Sequence, residues 1–245
     1  MRQKQAITWI VSIAILSFLS SFPATGQAQS GQFDVTASYQ VTFESTWSQD
    51  THPHPNGSAL FPTNSAHFSG LIGGSHNNGV TLWQSGQLAS LGIKRMAEFG
   101  SKGDLRNEVD AAINDGTAYA VISGGGIGLS PGSVTIASVL MNKTHPLVTL
   151  TSMIAPSPDW FVGVAGLSLL DDQGNWVTEK TVVLYPYDAG TDSGVDYTSG
   201  NSVTSPPEAI ASLQGISPFS SQPIGTLTFK RTDLPQKIYM PLLFR

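Results

Sequence analysis

The stretch Phe33-Asp34-Val35-Thr36-Ala37-Ser38-Tyr39-Gln40-Val41-Thr42-Phe43 carries an apolar or small side chain at every second position. An extended backbone turns successive side chains to opposite faces. This segment therefore predicts a strand with Phe33, Val35, Ala37, Tyr39, Val41 and Phe43 on one core-facing side. The composition of the whole chain agrees with such a strand. Among 245 residues there are 25 Gly and 15 Pro, and Ser and Thr are common, which favours short strands joined by turns over long helices. With 40% hydrophobic and only 12% charged residues, a sizeable core is available.

Towards the N-terminus, Arg2 and Lys4 precede an apolar stretch containing Trp9, Ile10, Val11, Ile13 and Leu16, which Pro23 ends. Small residues follow at Gly26 and Ala28. This is the layout of an export signal, with cleavage expected after Ala28 and residues 29–245 left as one domain. An uncleaved span would need roughly 20 apolar residues, and Thr8, Ser12, Ser17, Ser20 and Ser21 interrupt this run. The expected destination is outside the cytoplasm, either secreted, periplasmic or at the cell surface, with no membrane span after cleavage. Loss of Arg2 and Lys4 takes the formal charge from −5 to about −7. The chain has no Lys/Arg run to neutralise phosphates, which argues against nucleic acid as a partner. It has no cysteine, which excludes disulfides and thiolate zinc sites.

Towards the C-terminus, residues 47–79 read as a long turn-rich stretch holding four of the five histidines. Two short helices are expected at 84–99 and 104–114. In the second, Leu105, Val109, Ala112 and Ile113 recur at helical spacing and Asp104 is placed to cap the start. Strands are expected at 118–122, 133–141, 147–154, 160–169, 175–185, 226–231 and 238–243, with Gly, Asp and Pro clusters between them. The Ser/Pro-rich segment 199–222 reads as a surface loop. Strands at intervals of roughly 10 residues predict an all-β, antiparallel β-sandwich or barrel.

Two acidic segments carry the chemistry. Ser157-Pro158-Asp159-Trp160 lies where a strand begins, and Asp188-Ala189-Gly190-Thr191-Asp192-Ser193-Gly194 where another ends. Calcium takes six to eight oxygens, and a Gly-rich loop can turn spaced carboxylates and backbone carbonyls towards one point. Asp159, at the far end of a hairpin-like passage over 160–185, would supply a third carboxylate to Asp188 and Asp192. Asp and Gly also simply make turns, and the loop lacks the EF-hand spacing, so the residues alone leave both readings open.

At these residues the sequence also resembles a known family. Ala66-His67-Phe68-Ser69, Leu71-Ile72-Gly73, Ser75-His76-Asn77, Leu82-Trp83, Ala89-Ser90 and Ala97-Glu98-Phe99-Gly100 occur in order. They are followed by Ser157-Pro158-Asp159-Trp160-Phe161-Val162-Gly163-Val164 and the 188–194 loop. Together they resemble the spondin domain, the N-terminal domain type of F-spondin and mindin, over about residues 39–229. The resemblance implies a C2-like β-sandwich that binds Ca2+ at one end and serves adhesion or matrix attachment without catalysis. It places the metal ligands on Asp159, Asp188 and Asp192, with the Ala189 carbonyl as a further one and Glu98 nearby. An unidentified extracellular protein or glycan is the implied partner. Animal members carry a Cys where Leu169-Leu170 stand and bear further adhesive modules, so a bacterial secreted member is expected and animal partners do not carry over. Two other functions stay open. One is a structural surface or biofilm component in which calcium only stabilises the fold. The other is a secreted carbohydrate-active hydrolase using an Asp pair such as Asp159 and Asp192.

Other patterns are weaker. His52, His54, His67 and His76 invite zinc, yet two of them precede prolines in an extended stretch, with only Asp50 nearby as an acidic ligand. Gly128-Leu129-Ser130-Pro131-Gly132 has the serine-hydrolase spacing, but Pro131 lacks the N–H that the oxyanion requires. Gly124-Gly125-Gly126-Ile127-Gly128 lacks the Lys of a phosphate loop and reads as a flexible turn. Trp47, Trp83, Trp160 and Trp176 could stack on sugars, although scattered tryptophans in a sandwich are more often core.

Overall fold

The computed structural model describes residues 35–53 and 61–234. The export signal, the strand expected at 238–243 and His54 lie outside the described residues. The alternating segment forms β1 (Thr36–Ser45), in which Ala37, Tyr39, Val41, Phe43 and Ser45 are buried and the residues between them are not. Val35 precedes the strand and is exposed, and Phe33 lies outside the described residues.

Ten further strands and two helices follow in order: β2 (His67–Phe68), β3 (Ile72–His76), α1 (Leu91–Phe99), α2 (Gly103–Asn114), β4 (Ala118–Ser123), β5 (Gly132–Asn142), β6 (Leu147–Ala155), β7 (Trp160–Ser168), β8 (Glu179–Leu184), β9 (Tyr187–Asp188), β10 (Ala211–Ser212) and β11 (Gly225–Arg231). They make two sheets, one of order β5-β1-β11-β8 and one of order β10-β9-β7-β6-β3-β4 with β2 added against β6. Every pairing is antiparallel. The all-β sandwich expected from the sequence is therefore the fold. Its main core lies between the sheets, where Tyr39, Phe43, Trp47, Trp160 and Phe229 are fully buried.

The helices add a third layer. They cover the outer face of the larger sheet, where Ile93, Met96, Ala97 and Leu105 pack with Ile72 and Phe161. This explains why β6 is buried on both faces, Thr149, Thr151 and Ser152 included. The first helix begins only at Leu91, capped by Ser90, whose side chain accepts from Ile93 N at 3.2 Å. Glu108 of α2 reinforces this cap, accepting from Gly92 N and from the Ser90 hydroxyl, each at 2.7 Å. Asp104 does not cap α2. It lies in the first turn, where a carboxylate still meets the positive end of the helix dipole.

Four further expectations need correction. The turn-rich stretch over 47–79 contains β3, an interior strand of the larger sheet with all five residues buried. Passage 160–185 is not a hairpin, because β7 and β8 belong to different sheets. The 199–222 segment is not merely superficial, since Ile210 and Phe219 are buried and β10 extends the larger sheet. The Gly124–Gly126 turn is likewise fixed, with Gly124 N donating to Leu71 O and the Gly124 carbonyl accepting from Lys102 Nζ at 3.0 Å.

The glycines of β3 explain why propensity missed it. A Cβ on Gly74 would stand 2.7 Å from Val109 Cγ1, so the position admits no side chain while α2 lies against the strand. Gly74→Ala is expected to destabilise the fold by about 1–3 kcal/mol through overpacking. The paired Gly74→Ala/Val109→Ala variant should recover part of that loss, because Val109 supplies the clash. Urea unfolding of the single and double variants checks this. Additive losses would show that the close approach is not the constraint.

Candidate functional site

The 188–194 loop leaves β9 and folds over the start of β7. Gly190 makes the fold possible, with a φ of 73° and a Cβ position occupied by the Glu208 carbonyl. Asp159, immediately before β7, is fully buried beneath this loop. Its Oδ2 accepts from Thr191 N at 2.7 Å, Thr191 Oγ1 at 3.1 Å and Asp192 N at 3.0 Å. Its Oδ1 is buried with no hydrogen-bond partner. Asp188 accepts from Gly190 N at 2.6 Å. Asp192 accepts from Gly194 N at 2.8 Å through Oδ1 and from Ser202 N at 2.9 Å through Oδ2. Ala189 is fully buried, and its N–H donates to the Asp159 carbonyl at 3.2 Å.

The three aspartates expected from the sequence thus share one end of the sandwich. Burial pushes the Asp159 carboxyl up to about 6, the nearby Asp188 charge adds to the rise, and the bonds from Thr191 and Asp192 oppose it. Asp188 is also raised, first by burial and then by Glu208 and Asp192, against the pull of the Gly190 bond. The Trp160 indole acts in the same favourable sense on Asp188 without reaching well-formed hydrogen-bond geometry. No Lys or Arg among the described residues pairs with Asp159 or Asp188. Glu98, in contrast, pairs with Lys94 at 3.1 Å and lines a shallow hollow with Ser157, Pro158 and Asp192.

Among the described residues, no three His, Asp or Glu side chains converge closely enough to chelate an ion by themselves. Any ion would need backbone carbonyls or water in its sphere. The Asp159 Oδ1 atom, buried and unpartnered between negative neighbours, is the feature that fits a cation. Thr191 and Ser202 are the site residues that sequence reasoning missed. Thr191 sits inside the Asp/Gly loop that drew attention, but its hydroxyl and N–H roles show only once the loop closes on Asp159.

The other candidates have local duties. Ser130 is buried, donating to the Trp47 carbonyl and sharing a 2.7 Å bond with Ser45 Oγ. The described histidines bond to backbone carbonyls: His52 Nε2 to Gln222, His67 Nδ1 to Ser65 and His76 Nδ1 to Asn77. No described helix is long and apolar enough to cross a membrane.

The sandwich, the order of its elements and the loop over Asp159 can now be set beside known proteins. The Spondin_N family profile matches residues 37–224, most of the described chain and all three aspartates. The chain belongs to the spondin N-terminal domain family. It is 34% identical to Spondin-2 of Homo sapiens over 218 residues, which is 87% of this chain and 64% of that protein. To Spondin-2 of Rattus norvegicus it is 30% identical over 246 residues, covering 95% and 73%. To Spondin-1 of Homo sapiens it is 34% identical over 200 residues, 79% of this chain but only 24% of that protein. The chain therefore spans about a quarter of the length of the Spondin-1 relatives.

The electrostatics of this spondin domain give it a pH signature. A carboxyl at about 6 in the folded state and 3.8 otherwise stabilises the fold below pH 4. That contribution is lost as pH rises through 6. In calcium-free buffer, Asp159 should cost on the order of 3 kcal/mol between pH 4 and 7. Asp159→Asn keeps an oxygen for the three donors and removes the charge. Its stability relative to the parent should therefore climb across that range in urea unfolding, and a parallel pair of profiles would contradict the assignment.

Proposed function

We propose that the chain is an exported, non-catalytic, calcium-binding domain of adhesion or matrix type. The unpartnered Asp159 Oδ1, buried beside Asp188 without a cationic side chain, is the observation that carries this reading. Asp159, Asp188 and Asp192 would hold the ion, with the Ala189 carbonyl and water completing the oxygen set that calcium takes. Asp192 has a lone pair on each oxygen engaged by a backbone N–H, which leaves further acceptor capacity on both. The ion would supply charge compensation and cross-link the β7 entry to the 188–194 loop. A non-catalytic role is supported by the burial of Asp159 and Ser130, neither of which meets solvent. Adhesion, secretion and an extracellular partner come from family membership, and the partner itself is of unspecified chemistry at this end of the domain.

Calcium binding to the folded state alone raises stability by about 2.7 kcal/mol at a hundredfold excess over Kd. The metal-stripped protein should accordingly melt higher as calcium is added, and calorimetry should register saturable binding of a single ion. Asp188→Ala and Asp192→Ala should abolish both responses while leaving a folded chain by circular dichroism. An Asp188→Ala melting point that still rose with calcium as the parent's does would overturn the ligand set, and no binding at millimolar calcium would reduce the loop to a turn.

A further inference from the structure

At the far end of β6 from the aspartates, the outer layer leaves a hollow of about 290 Å³. Its walls include His76, Asn78, Thr81, Trp83, Gln84 and Thr149. A second hollow of about 300 Å³ shares Trp83, Gln84 and Ala165 with the first and continues over Val183 and Tyr187. No Asp, Glu, Lys or Arg lines either one. His76 is buried, its Nδ1 bonds to the Asn77 carbonyl and its Nε2 to Thr149 Oγ1, both at 2.8 Å. Since a carbonyl can only accept, Nδ1 carries the proton and Nε2 accepts from the Thr149 hydroxyl. Burial also holds the ring's pKa below its usual value, so the wall stays neutral.

The free polar capacity is therefore all uncharged. The exposed amides of Asn78 and Gln84 and the exposed Thr81 supply the groups open to a ligand, while the Trp83 indole N–H is buried in the wall without an acceptor. Trp83 is held rigid by edge contacts with Phe161 and Tyr187, each with ring centroids 5.0 Å apart. Side-chain amides and hydroxyls without charge, on a wall held fixed by Trp83, suit a ligand rich in neutral hydroxyls. Each hollow is near the lower limit for small-molecule sites, a size for one sugar ring, and the shared wall joins two. We propose that these paired hollows bind a neutral glycan, with two adjacent hexopyranose units seated on either side of Trp83 and Gln84. This site is independent of the calcium reading, since it shares no residue with it.

The test is titration of the nitrogen-15-labelled protein with glucose, galactose, mannose and N-acetylglucosamine, and with cellobiose, maltose and lactose, following the Trp83 indole N–H resonance. At least one neutral sugar should shift that resonance saturably in the millimolar range, and a disaccharide containing it should bind more tightly than the single unit. Gln84→Ala, at an exposed position, should weaken binding about fivefold, the loss of one hydrogen bond, and Ala165→Arg should block it. Both variants leave the core intact, so their spectra remain readable. Absence of a saturable shift for every sugar, equal affinity for glucuronate, or unchanged affinity in both variants would overturn the proposal.

Discussion

The end of the sandwich that carries the aspartates depends on one oxygen, Asp159 Oδ2. Three donors from the 188–194 loop converge on it, and through them the entry of β7 is tied to a segment more than thirty residues away in sequence. Bonds to an ionised acceptor are stronger than neutral ones and would by themselves hold the carboxyl low. Burial and the neighbouring Asp188 outweigh them, and the group settles at about 6. The loop is closed, then, by an interaction that is under tension whenever Asp159 is charged. Either a proton or a cation on the free Oδ1 relieves that tension. At neutral pH the proton is the weaker competitor, which is the physical sense in which a calcium site is proposed there.

The opposite face of the same constraint is the helical layer. Two short helices could not be stable alone. They persist because Ile93, Met96 and Leu105 bury their stripe on the larger sheet and because Glu108 of one satisfies the orphan donors at the start of the other. The approach is close enough that β3 must be glycine where α2 crosses it. Sheet and helices are thus specified together, since Gly74 is required only because α2 lies against it, while Gly73 answers to the β6 backbone at Thr149.

That mutual dependence sets what was legible in the sequence. β1, β5, β6, β7 and β11 were readable because each has a period or an apolar run that survives in isolation. Their observed bounds differ from the reading by a residue or a few. β3 was not readable, since Ile72-Gly73-Gly74-Ser75-His76 has the composition of a turn and is held as a strand by β4 and β6 on its two edges. β8 came out shorter than the reading, because Asn175 is drawn into a turn by Asp171, which accepts its N–H at 2.8 Å. The aspartates were visible as a pattern of acid and glycine. Thr191 and Ser202 were not, because they act through backbone N–H groups that any residue but proline could offer, joined at Thr191 by a hydroxyl that reaches Asp159 only once the loop is closed.

The two ends of β7 therefore differ in kind. At Trp160 the strand begins among carboxylates that no Lys or Arg among the described residues pairs with. At Ala165 it passes between two hollows with no charge at all. Between them runs a rigid aromatic line, Trp83 against Phe161 and Tyr187, with Tyr187 next in sequence to Asp188. A domain built this way can treat ion and partner as separate problems. In the proposed pair of sites, charge at one end would be answered by a hard cation, and at the other end recognition would rest on hydrogen bonds that salt does not screen. In that pair of proposals, closing the loop over Asp159 would change no charge on the walls around Trp83, and Tyr187 of the second hollow, next to Asp188, is the residue through which the two places adjoin.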